Sequence, residues 1–273
     1  GIRDKLVTGV QTCALPILKG GLPVISQSAT NATLPSVGKD VFHRVVANDD
    51  VQGPALAKLA GNQPNAKVFI VDDQSTYGKD LATTVKKKLA KAKQVGSDSV
   101  TAGATNFTSV VAKVKKAGAN VVFYGGYYPE ASKFVKALRD NPATKNVKFI
   151  AGDGVLDNEY IKLAKKNAEG TSMTAPYIPM ERADKKLTAI YKKEYGVAPA
   201  VYTLEAYNSA GFFLAAVKAG NTDRATILKY INTTSYKGVG QTIKFDASGE
   251  PAVKVMNEFI VKNGSIEYVG AIK

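Results

Sequence analysis

The stretch "ANVVFYGGYYPEASKFVKALRD", residues 119–140, joins a β-branched and aromatic run to a turn and then to a helical pattern. The run before the glycines is apolar throughout, which is typical of a strand buried on both faces. Gly125 and Gly126 permit a sharp turn, and Pro129 suits the first position of a helix, where its missing N–H is not needed. Tyr127 and Tyr128 are therefore predicted at the carboxyl end of a strand, where open α/β sheets bind ligands.

Strand and helix patterns alternate on both sides of this stretch. Further strands are predicted at 67–73 and 147–153, and helices with apolar residues at helical spacing are predicted at 78–92, 107–118, 158–168, 184–196, 203–220 and 222–234. Thr222 is the expected cap of the last helix. Segments 241–251 and 253–269 are predicted as hairpins with turns at Ser248-Gly249 and Asn263-Gly264. This alternation indicates parallel βαβ units and an α/β fold.

The composition excludes several classes of protein. The 273 residues carry 37 Lys and Arg against 23 Asp and Glu, a net charge of +14. The basic clusters lie on separate predicted helices, as solvated faces do, and no nucleic-acid-binding motif accompanies them. We therefore expect no nucleic-acid partner. No apolar run approaches the length of a membrane span, and the length suits one large domain or two ordinary ones.

The N-terminal stretch "VTGVQTCALPI", residues 7–17, fits neither helical nor strand periodicity and contains the only cysteine, Cys13. It resembles the translation of a common sequencing-adapter oligonucleotide over all eleven residues. We expect residues 1–17 to be non-native and the true chain to start near Leu18. The alternative is a genuine but irregular N-terminus.

No catalytic constellation is present in the sequence. His43 is the only histidine and is expected to be structural, and neither a phosphate loop nor a dinucleotide fingerprint occurs. We therefore expect no enzyme activity, no metal and no cofactor. Polar and aromatic residues follow the predicted strands: Tyr77, Tyr127 and Asp153, and the hydroxyl-bearing loop Ser28-Ala29-Thr30 after the apolar run "LPVIS". Hydroxyls, aromatic rings and one carboxylate make a binding site rather than a reaction centre.

An ordered series of motifs carries a resemblance to a known family. The motifs are "GLPVISQSATN", "VANDDVQGPALAKL", "VDDQSTYGKDLA", "VFYGGYYPEASKFVKALRD", "FIAGDGVLD", "AEGT" and "IKFDASGEP". From about Leu18 onward the chain resembles the periplasmic leucine/isoleucine/valine-binding proteins of ABC importers. The family's signal peptide and roughly the first third of its mature chain have no counterpart, so the resemblance implies an N-terminally truncated member.

The resemblance implies a type I periplasmic-binding-protein fold: two doubly wound parallel-sheet lobes with a three-crossing hinge, the first lobe being incomplete. Lobe one would comprise 18–46 and 177–255, and lobe two 48–174, with 256–273 supplying a hinge strand and the C-terminal strands. The hinge crossings are expected near 44–47, 173–176 and 257–261.

The resemblance also implies roles for the site residues. The loop Ser28-Ala29-Thr30 would bind a ligand carboxylate through hydroxyl and N–H donors and offer a carbonyl to the ammonium group. Asp153 would pair with that ammonium, while Tyr77 and Tyr127 would cover the ligand on closure. Tyr128 is expected at the rim.

The implied function is extracytoplasmic, in the periplasm. The protein would be a monomer that closes its cleft around a small-molecule amino acid, branched-chain or related, and delivers it to the membrane permease of an ABC transporter. Two alternatives remain open. One is a ligand-sensing receptor domain of the same fold for a small amide or amino acid. The other is an enzyme on a doubly wound sheet, for which the sequence offers no nucleophile or base.

Overall fold

The computed structural model describes residues 20–272. The expected adapter-derived segment 1–17, with Cys13, lies outside the described residues. The chain folds as two compact units. Unit one comprises the described residues up to Asn48 together with Tyr177–Val255, and unit two comprises Asp49–Pro176 together with the described residues from Met256. The chain passes between the units after residues 48, 176 and 255. The hinge itself stays a prediction.

The strands and helices of both units are numbered in chain order. The strands are β1 (Val24–Ser26), β2 (Phe42–Arg44), β3 (Val68–Asp72), β4 (Gln94–Ser99), β5 (Val121–Gly125), β6 (Lys148–Ala151), β7 (Ser172–Ala175), β8 (Tyr236–Lys237), β9 (Thr242–Ile243), β10 (Asn257–Lys262) and β11 (Ser265–Ala271). The helices are α1 (Leu34–Gly38), α2 (Asp49–Gly61), α3 (Thr76–Lys88), α4 (Thr108–Lys116), α5 (Tyr128–Asp140), α6 (Asn158–Ala164), α7 (Met180–Ala183), α8 (Lys185–Tyr195), α9 (Thr203–Lys218) and α10 (Arg224–Thr233).

Unit two is built on one sheet with the strand order β11-β10-β7-β6-β5-β3-β4. Strands β7, β6, β5, β3 and β4 pair in parallel, and the hairpin β10–β11 joins β7 antiparallel. After β3 the chain moves outward to β4 and then returns to place β5 on the other side of β3. The direction of winding therefore reverses between β3 and β5, and such a switch point is where doubly wound sheets bind ligands. The predicted α/β fold with parallel βαβ units is confirmed.

The core of unit two has two layers because its central strands are buried on both faces. One layer packs α2 and α3 on the sheet through Leu56, Leu81, Val85 and Phe123. The other is aromatic: Phe134 on α5 lies 5.9 Å from Tyr124 and 5.8 Å from Phe149, measured between ring centroids. Each of these aromatic side chains is fully buried.

Helix α3 shows why the local sequence places the site where it does. Ser75 caps the helix by accepting a hydrogen bond from the N–H of Gly78 at 2.9 Å, and lysines occupy the last turn, where positive charge suits the helix dipole. An added Cβ on Gly125 would stand only 2.5 Å from the carbonyl oxygen of Gly78. The first turn of α3 therefore packs backbone to backbone against the end of β5.

Several sequence predictions need correction. Pro129 is the second residue of α5, not the first, because the helix begins at Tyr128. Asp223, not Thr222, caps α10 by accepting from the N–H groups of Ala225 and Thr226, both at 3.0 Å. Asp223 is one residue closer to the helix than Thr222, so its carboxylate reaches the free N–H groups of the first turn.

Strand β4 and helix α2 of unit two were not predicted from the sequence. Strand β4 has the sequence QVGSDS and is half-exposed or exposed along its length, so it lacks the apolar alternation that identifies strands. Helix α2 contains Pro54 and Gly53, which interrupt a helical pattern in sequence. Tertiary packing against α3 and the sheet overrides both local signals.

The two predicted hairpins differ in outcome. The turn Asn263-Gly264 is confirmed, with φ of 51° and 70°, and joins β10 to β11. Around Ser248-Gly249 the turn is also present, but the flanking segments meet only at the single bridge between Phe245 and Pro251. Strand β9 pairs instead with β8.

Unit one packs helices α9 and α10 around short strands. Strands β1 and β2 form a two-stranded parallel sheet, with Val24 opposite Phe42. The core of the unit contains Ile25, Val45, Val46, Phe212, Ile231, Ile243 and Phe245. Within the described residues, no helix is long and apolar enough to cross a lipid bilayer.

Glu205, in the first turn of α9, is a buried carboxyl in unit one. It is 4% exposed, and its Oε2 atom makes no hydrogen bond within the described residues. Burial raises the pKa of Glu205 from 4.5 to about 7, because water no longer solvates the carboxylate. The folded chain therefore binds a proton at this site at pH values where the unfolded chain has released it.

The first prediction concerns the close approach at Gly125. We expect Gly125→Ala to lower the free energy of unfolding by ~1–3 kcal/mol, because the new Cβ overlaps the Gly78 carbonyl. Urea unfolding followed by circular dichroism measures the change. Gly61→Ala is the matched control, since the nearest atom there is the flexible Cδ1 of Leu89 at 3.1 Å. Equal losses in both variants would contradict the packing argument.

The second prediction concerns pH and Glu205. Its raised pKa adds stability that is complete below about pH 4.5 and disappears as the pH rises through about 7. We therefore expect Glu205→Gln to match the wild type near pH 4.5 and to exceed its stability by up to about 3 kcal/mol at pH 8. Urea titrations of both proteins at the two pH values measure this difference. The prediction is wrong if the difference between the proteins does not change with pH.

Candidate functional site

Tyr77 and Asp153 form a hydrogen bond at the carboxyl edge of the unit two sheet. Tyr77 is the second residue of α3, just after β3, and Asp153 begins a single 3-10 turn, Asp153–Val155, just after β6. The Tyr77 hydroxyl donates to Asp153 Oδ1 at 2.8 Å and accepts from the N–H of Gly154 at 3.2 Å. The first turn of α3 is thereby joined to the loop after β6, between residues 76 positions apart in sequence.

The Tyr77 phenol stays protonated in this setting. Burial raises its pKa well above the ordinary value, and the nearby carboxylates of Asp153 and Asp49 raise it further. A protonated hydroxyl can only donate to the Asp153 carboxylate, so this bond has a fixed direction. The bond restricts the rotation of the Asp153 side chain.

Glycines make room for the Tyr77 ring. An added Cβ on Gly152 would stand 2.4 Å from the Tyr77 hydroxyl oxygen, and one on Gly154 would stand 2.9 Å from Cε1 of the same ring. The ring therefore lies directly against the backbone of the loop that follows β6. Any larger residue at these two positions would displace Tyr77 from Asp153.

Tyr127 supplies a second ring beside the first. It is the N-cap residue of α5, directly after the turn that ends β5. Its ring centroid lies 5.2 Å from that of Tyr77 with an interplanar angle of 41°, within the range of favourable aromatic pairs. Burial, followed by the effect of Asp153, raises the pKa of Tyr127 to about 12. At 37% exposure, Tyr127 presents part of its ring to solvent.

Asp73 holds the surrounding loops together and was not among the predicted site residues. Its Oδ1 accepts from the N–H of Ser75 at 2.9 Å and from the Ser75 hydroxyl at 2.5 Å. Its own N–H donates to the carbonyl of Gly125 at 3.0 Å. Burial raises the pKa of Asp73. Asp73 thus connects the cap of α3, through its side chain, to the end of β5, through its backbone N–H.

The loop Ser28-Ala29-Thr30 lies in unit one, directly after β1. The N–H groups of Ala29 and Ser28 point to the hydroxyl oxygen of Ser26, at 3.0 and 3.4 Å. The carbonyl of Ala29 accepts from Arg44 Nη1 at 2.8 Å. Thr30 is 3% exposed and makes no hydrogen bond to any other residue of the described chain. Its N–H and hydroxyl, like the Ser28 hydroxyl, donate no hydrogen bond to another described residue.

The predicted site residues therefore form two sets. Tyr77, Tyr127 and Asp153 come together in unit two, and Ser28 to Thr30 lie together in unit one. Sequence reasoning missed Asp73 and Arg44, which hold the backbone of these two sets. The signal for Asp73 was the second acidic residue in "VDD", at the end of a predicted strand; no signal identified Arg44.

The side chains that commonly bind metals do not cluster among the described residues. They contain no group of three or more His, Cys, Asp or Glu side chains that could hold a metal ion. His43 is buried, and its ring nitrogens contact the carbonyl oxygen of Val24 at 3.3 Å and Oδ1 of Asn232 at 2.6 Å. These contacts fit the structural role predicted for this histidine.

Comparison with known proteins identifies sequence relatives. A profile of the family described as "Periplasmic binding protein" matches residues 6–265. The chain is 32% identical over 240 residues to Leu/Ile/Val-binding protein homolog 2 of Brucella abortus (strain 2308), covering 86% of this chain and 64% of that protein. It is 26% identical over 235 residues to the leucine-, isoleucine-, valine-, threonine- and alanine-binding protein of Pseudomonas aeruginosa, covering 84% of this chain and 62% of that protein. The chain thus spans less than two thirds of the length of these relatives.

Solved structures share the fold. A leucine-binding protein of Thermotoga maritima superposes with a TM-score of 0.85 at 25% identity, covering 99% of this chain and 79% of that one. A branched-chain amino acid transporter substrate-binding protein of Streptococcus pneumoniae, in complex with isoleucine, gives the same TM-score and identity, covering 98% of this chain and 78% of that one. A solute-binding protein of R. palustris in complex with benzoate has a TM-score of 0.83 at 16% identity, covering 98% and 76%, which shows the fold alone.

These comparisons confirm the resemblance carried by the ordered sequence motifs and the type I α/β fold class. The chain belongs to the periplasmic binding protein family.

Proposed function

We propose that this protein is an extracytoplasmic solute-binding protein for a branched-chain or related amino acid. The single observation that carries the proposal is the Tyr77–Asp153–Tyr127 group at the switch point of the unit two sheet. The Asp153 carboxylate beside two aromatic rings matches the chemistry of an ammonium group on an apolar molecule. Support also comes from the relatives described as Leu/Ile/Val-binding proteins.

In this proposal Asp153 binds the ligand ammonium. A buried ammonium needs a negative partner, since an unpaired buried charge is far less stable than a hydrated one. Tyr77 holds the Asp153 carboxylate in one orientation by donating to Oδ1, so little rotational freedom is lost when the ligand binds. An ionic contact made by a pre-oriented group is stronger than one made by a mobile side chain.

The aromatic pair covers the apolar side chain of the ligand. Tyr77 is 9% exposed and rigid, and Tyr127 is 37% exposed beside it. Tyrosine rings bury a large apolar area with few rotatable bonds. They provide no charged group for a polar side chain, which favours aliphatic amino acids.

The loop Ser28 to Thr30 binds the ligand carboxylate in the same proposal. Thr30 offers an N–H and a hydroxyl that make no other hydrogen bond in the described chain, and donors to a carboxylate form charge-assisted bonds. The carboxylate and ammonium of one amino acid would thus be bound by different units. Closure of the two units on the ligand is the expected mode of capture.

The wider role follows from the family. We propose that the closed protein acts as a monomer in the periplasm and delivers its amino acid to the membrane permease of an ABC transporter. It uses no cofactor and changes no bond in its ligand, so an amino acid released from it should be recovered unchanged.

The third prediction tests Asp153. We expect Asp153→Asn to weaken the binding of the best ligand among leucine, isoleucine and valine by about 2–5 kcal/mol, because the amide removes the negative charge that pairs with the buried ammonium. This corresponds to a loss of roughly thirtyfold to several thousandfold in Kd. Isothermal titration calorimetry with the three amino acids measures it.

Asp157→Asn is the matched control. Asp157 lies four residues further along and caps α6 by accepting from the N–H of Glu159 at 2.7 Å. Asparagine keeps this cap, and the substitution removes the same charge from the same region. We expect Kd to stay within threefold of the wild type. If Asp153→Asn behaves like this control, Asp153 does not bind the ammonium.

A further inference from the structure

Arg44 is a fully buried guanidinium in unit one, and it contacts two separate parts of the chain. It is the last residue of β2 and is 0% exposed. Its Nη1 donates to the carbonyl oxygens of Ala29 and Asn31 at 2.8 and 2.9 Å. Its Nε and Nη2 donate to Glu250 Oε1 at 3.1 and 2.7 Å. One side of the planar group thus faces a carboxylate and the other faces the loop after β1.

The Glu250 carboxylate fixes the orientation of the guanidinium. Glu250 is 5% exposed and also accepts from Asn48 Nδ2 at 3.1 Å. Its own N–H donates to Asp246 Oδ1 at 3.1 Å, and the N–H of Arg44 donates to the carbonyl of Gly249 at 3.0 Å. Because a buried charge is stable only when paired, the guanidinium cannot turn away from Glu250 to follow a moving loop. The loop therefore adopts the position that the guanidinium sets.

The hydrogen bond from Arg44 to the Ala29 carbonyl also determines which way the next N–H, that of Thr30, points. In a planar trans peptide the C=O and the following N–H point to opposite sides. The Ala29 carbonyl points to Arg44, so the N–H of Thr30 points away from it. A cationic donor on the carbonyl also polarises the peptide group and makes that N–H a stronger donor. The preceding N–H, that of Ala29, is occupied by the Ser26 hydroxyl at 3.0 Å.

We infer that Arg44 is a positioning residue for ligand binding: it fixes the loop Ser28–Asn31 so that the N–H of Thr30 is presented to a ligand carboxylate. The carboxylate part of this inference rests on the proposed function. Arg44 acts through the loop backbone, using contacts that it makes within unit one.

Arginine is required at this position because the three acceptors lie in different directions. A guanidinium presents five N–H donors in a rigid plane, whereas a lysine ammonium is a single point charge on a flexible stem. Arg44→Lys keeps the charge opposite Glu250 but cannot serve both carbonyls and the carboxylate together. Glu250→Gln keeps Arg44 and removes the charge that orients it. The two substitutions thus alter the two partners of the same ion pair, Arg44 and Glu250, one at a time.

The fourth prediction tests this inference first without ligand, by hydrogen–deuterium exchange resolved to single amides. The reporters are the N–H groups of Ala29 and Thr33, which are hydrogen bonded within the loop to Ser26 Oγ and Asn31 Oδ1. We expect both to exchange on the order of tenfold faster or more in Arg44→Lys and in Glu250→Gln.

Asn208→Ala is the matched control in the same unit. Asn208 is fully buried and holds Val239 through two hydrogen bonds of 3.0 and 2.8 Å, neither of which involves a residue of the loop. Its loss should speed exchange at Val239 and leave Ala29 and Thr33 unchanged. Loop exchange that stays at the wild-type rate in Arg44→Lys and Glu250→Gln, or that rises equally in Asn208→Ala, would overturn the positioning role.

The second measurement compares the Kd of L-leucine with that of L-leucinamide, whose amide replaces the carboxylate. We expect the preference for leucine to shrink by about tenfold or more in Arg44→Lys and to persist in Asn208→Ala. A loosened loop with an unchanged preference would overturn the link to the carboxylate. If the wild-type chain binds none of leucine, isoleucine and valine, the proposed function is wrong, and so is the role of Thr30 in binding a ligand carboxylate. The exchange data would still decide whether Arg44 fixes the loop.

Discussion

The site in unit two depends on the contact between two glycines, Gly78 in the first turn of α3 and Gly125 at the end of β5. Neither has a side chain, so helix and strand approach until a Cβ on Gly125 would stand 2.5 Å from the Gly78 carbonyl. Tyr77 directly precedes Gly78 in the first turn of α3, so the position of Gly78 also determines that of Tyr77. This approach brings the phenol within 2.8 Å of Asp153 on the neighbouring loop. The aromatic pair and the oriented carboxylate are consequences of that one packing constraint.

In each unit a buried ionisable residue holds a loop in place through hydrogen bonds to its backbone. In unit two Asp73 joins the cap of α3 to the carbonyl of Gly125 through its own N–H. In unit one Arg44 binds the carbonyls of Ala29 and Asn31. The proposed ligand contacts stand next to these residues in each case. Backbone donors and acceptors bind a ligand well only if the loop that carries them is held in place. Arg44 is held by its buried ion pair with Glu250, and Asp73 is held by its hydrogen bonds to Ser75.

The sequence predicted the parts of this structure that depend on local pattern. The stretch 119–140 defined β5, the turn and α5, and the strand-end positions of Tyr77, Tyr127 and Asp153 followed from chain order alone. Strand β4 escaped prediction because an edge strand with half-exposed polar residues has no apolar alternation. Arg44 escaped because it occurs in "VFHRVV", which suggests an ordinary strand, while its partner Glu250 lies 206 positions away. Interactions between distant residues leave no periodicity to detect.

The pairing of β10 with β7 has a consequence for the order in which the protein folds during synthesis. Asn257 pairs with Ala175, and all of the residues between Tyr177 and Val255 belong to the other unit. A ribosome therefore releases the whole of that intervening segment before the strand that covers β7 becomes available. Until then β7 presents an open hydrogen-bonding edge, the kind of surface that pairs with foreign strands. The edge of β7 must therefore stay unpaired until β10 has been synthesised, and the non-local contact between the two strands then forms slowly.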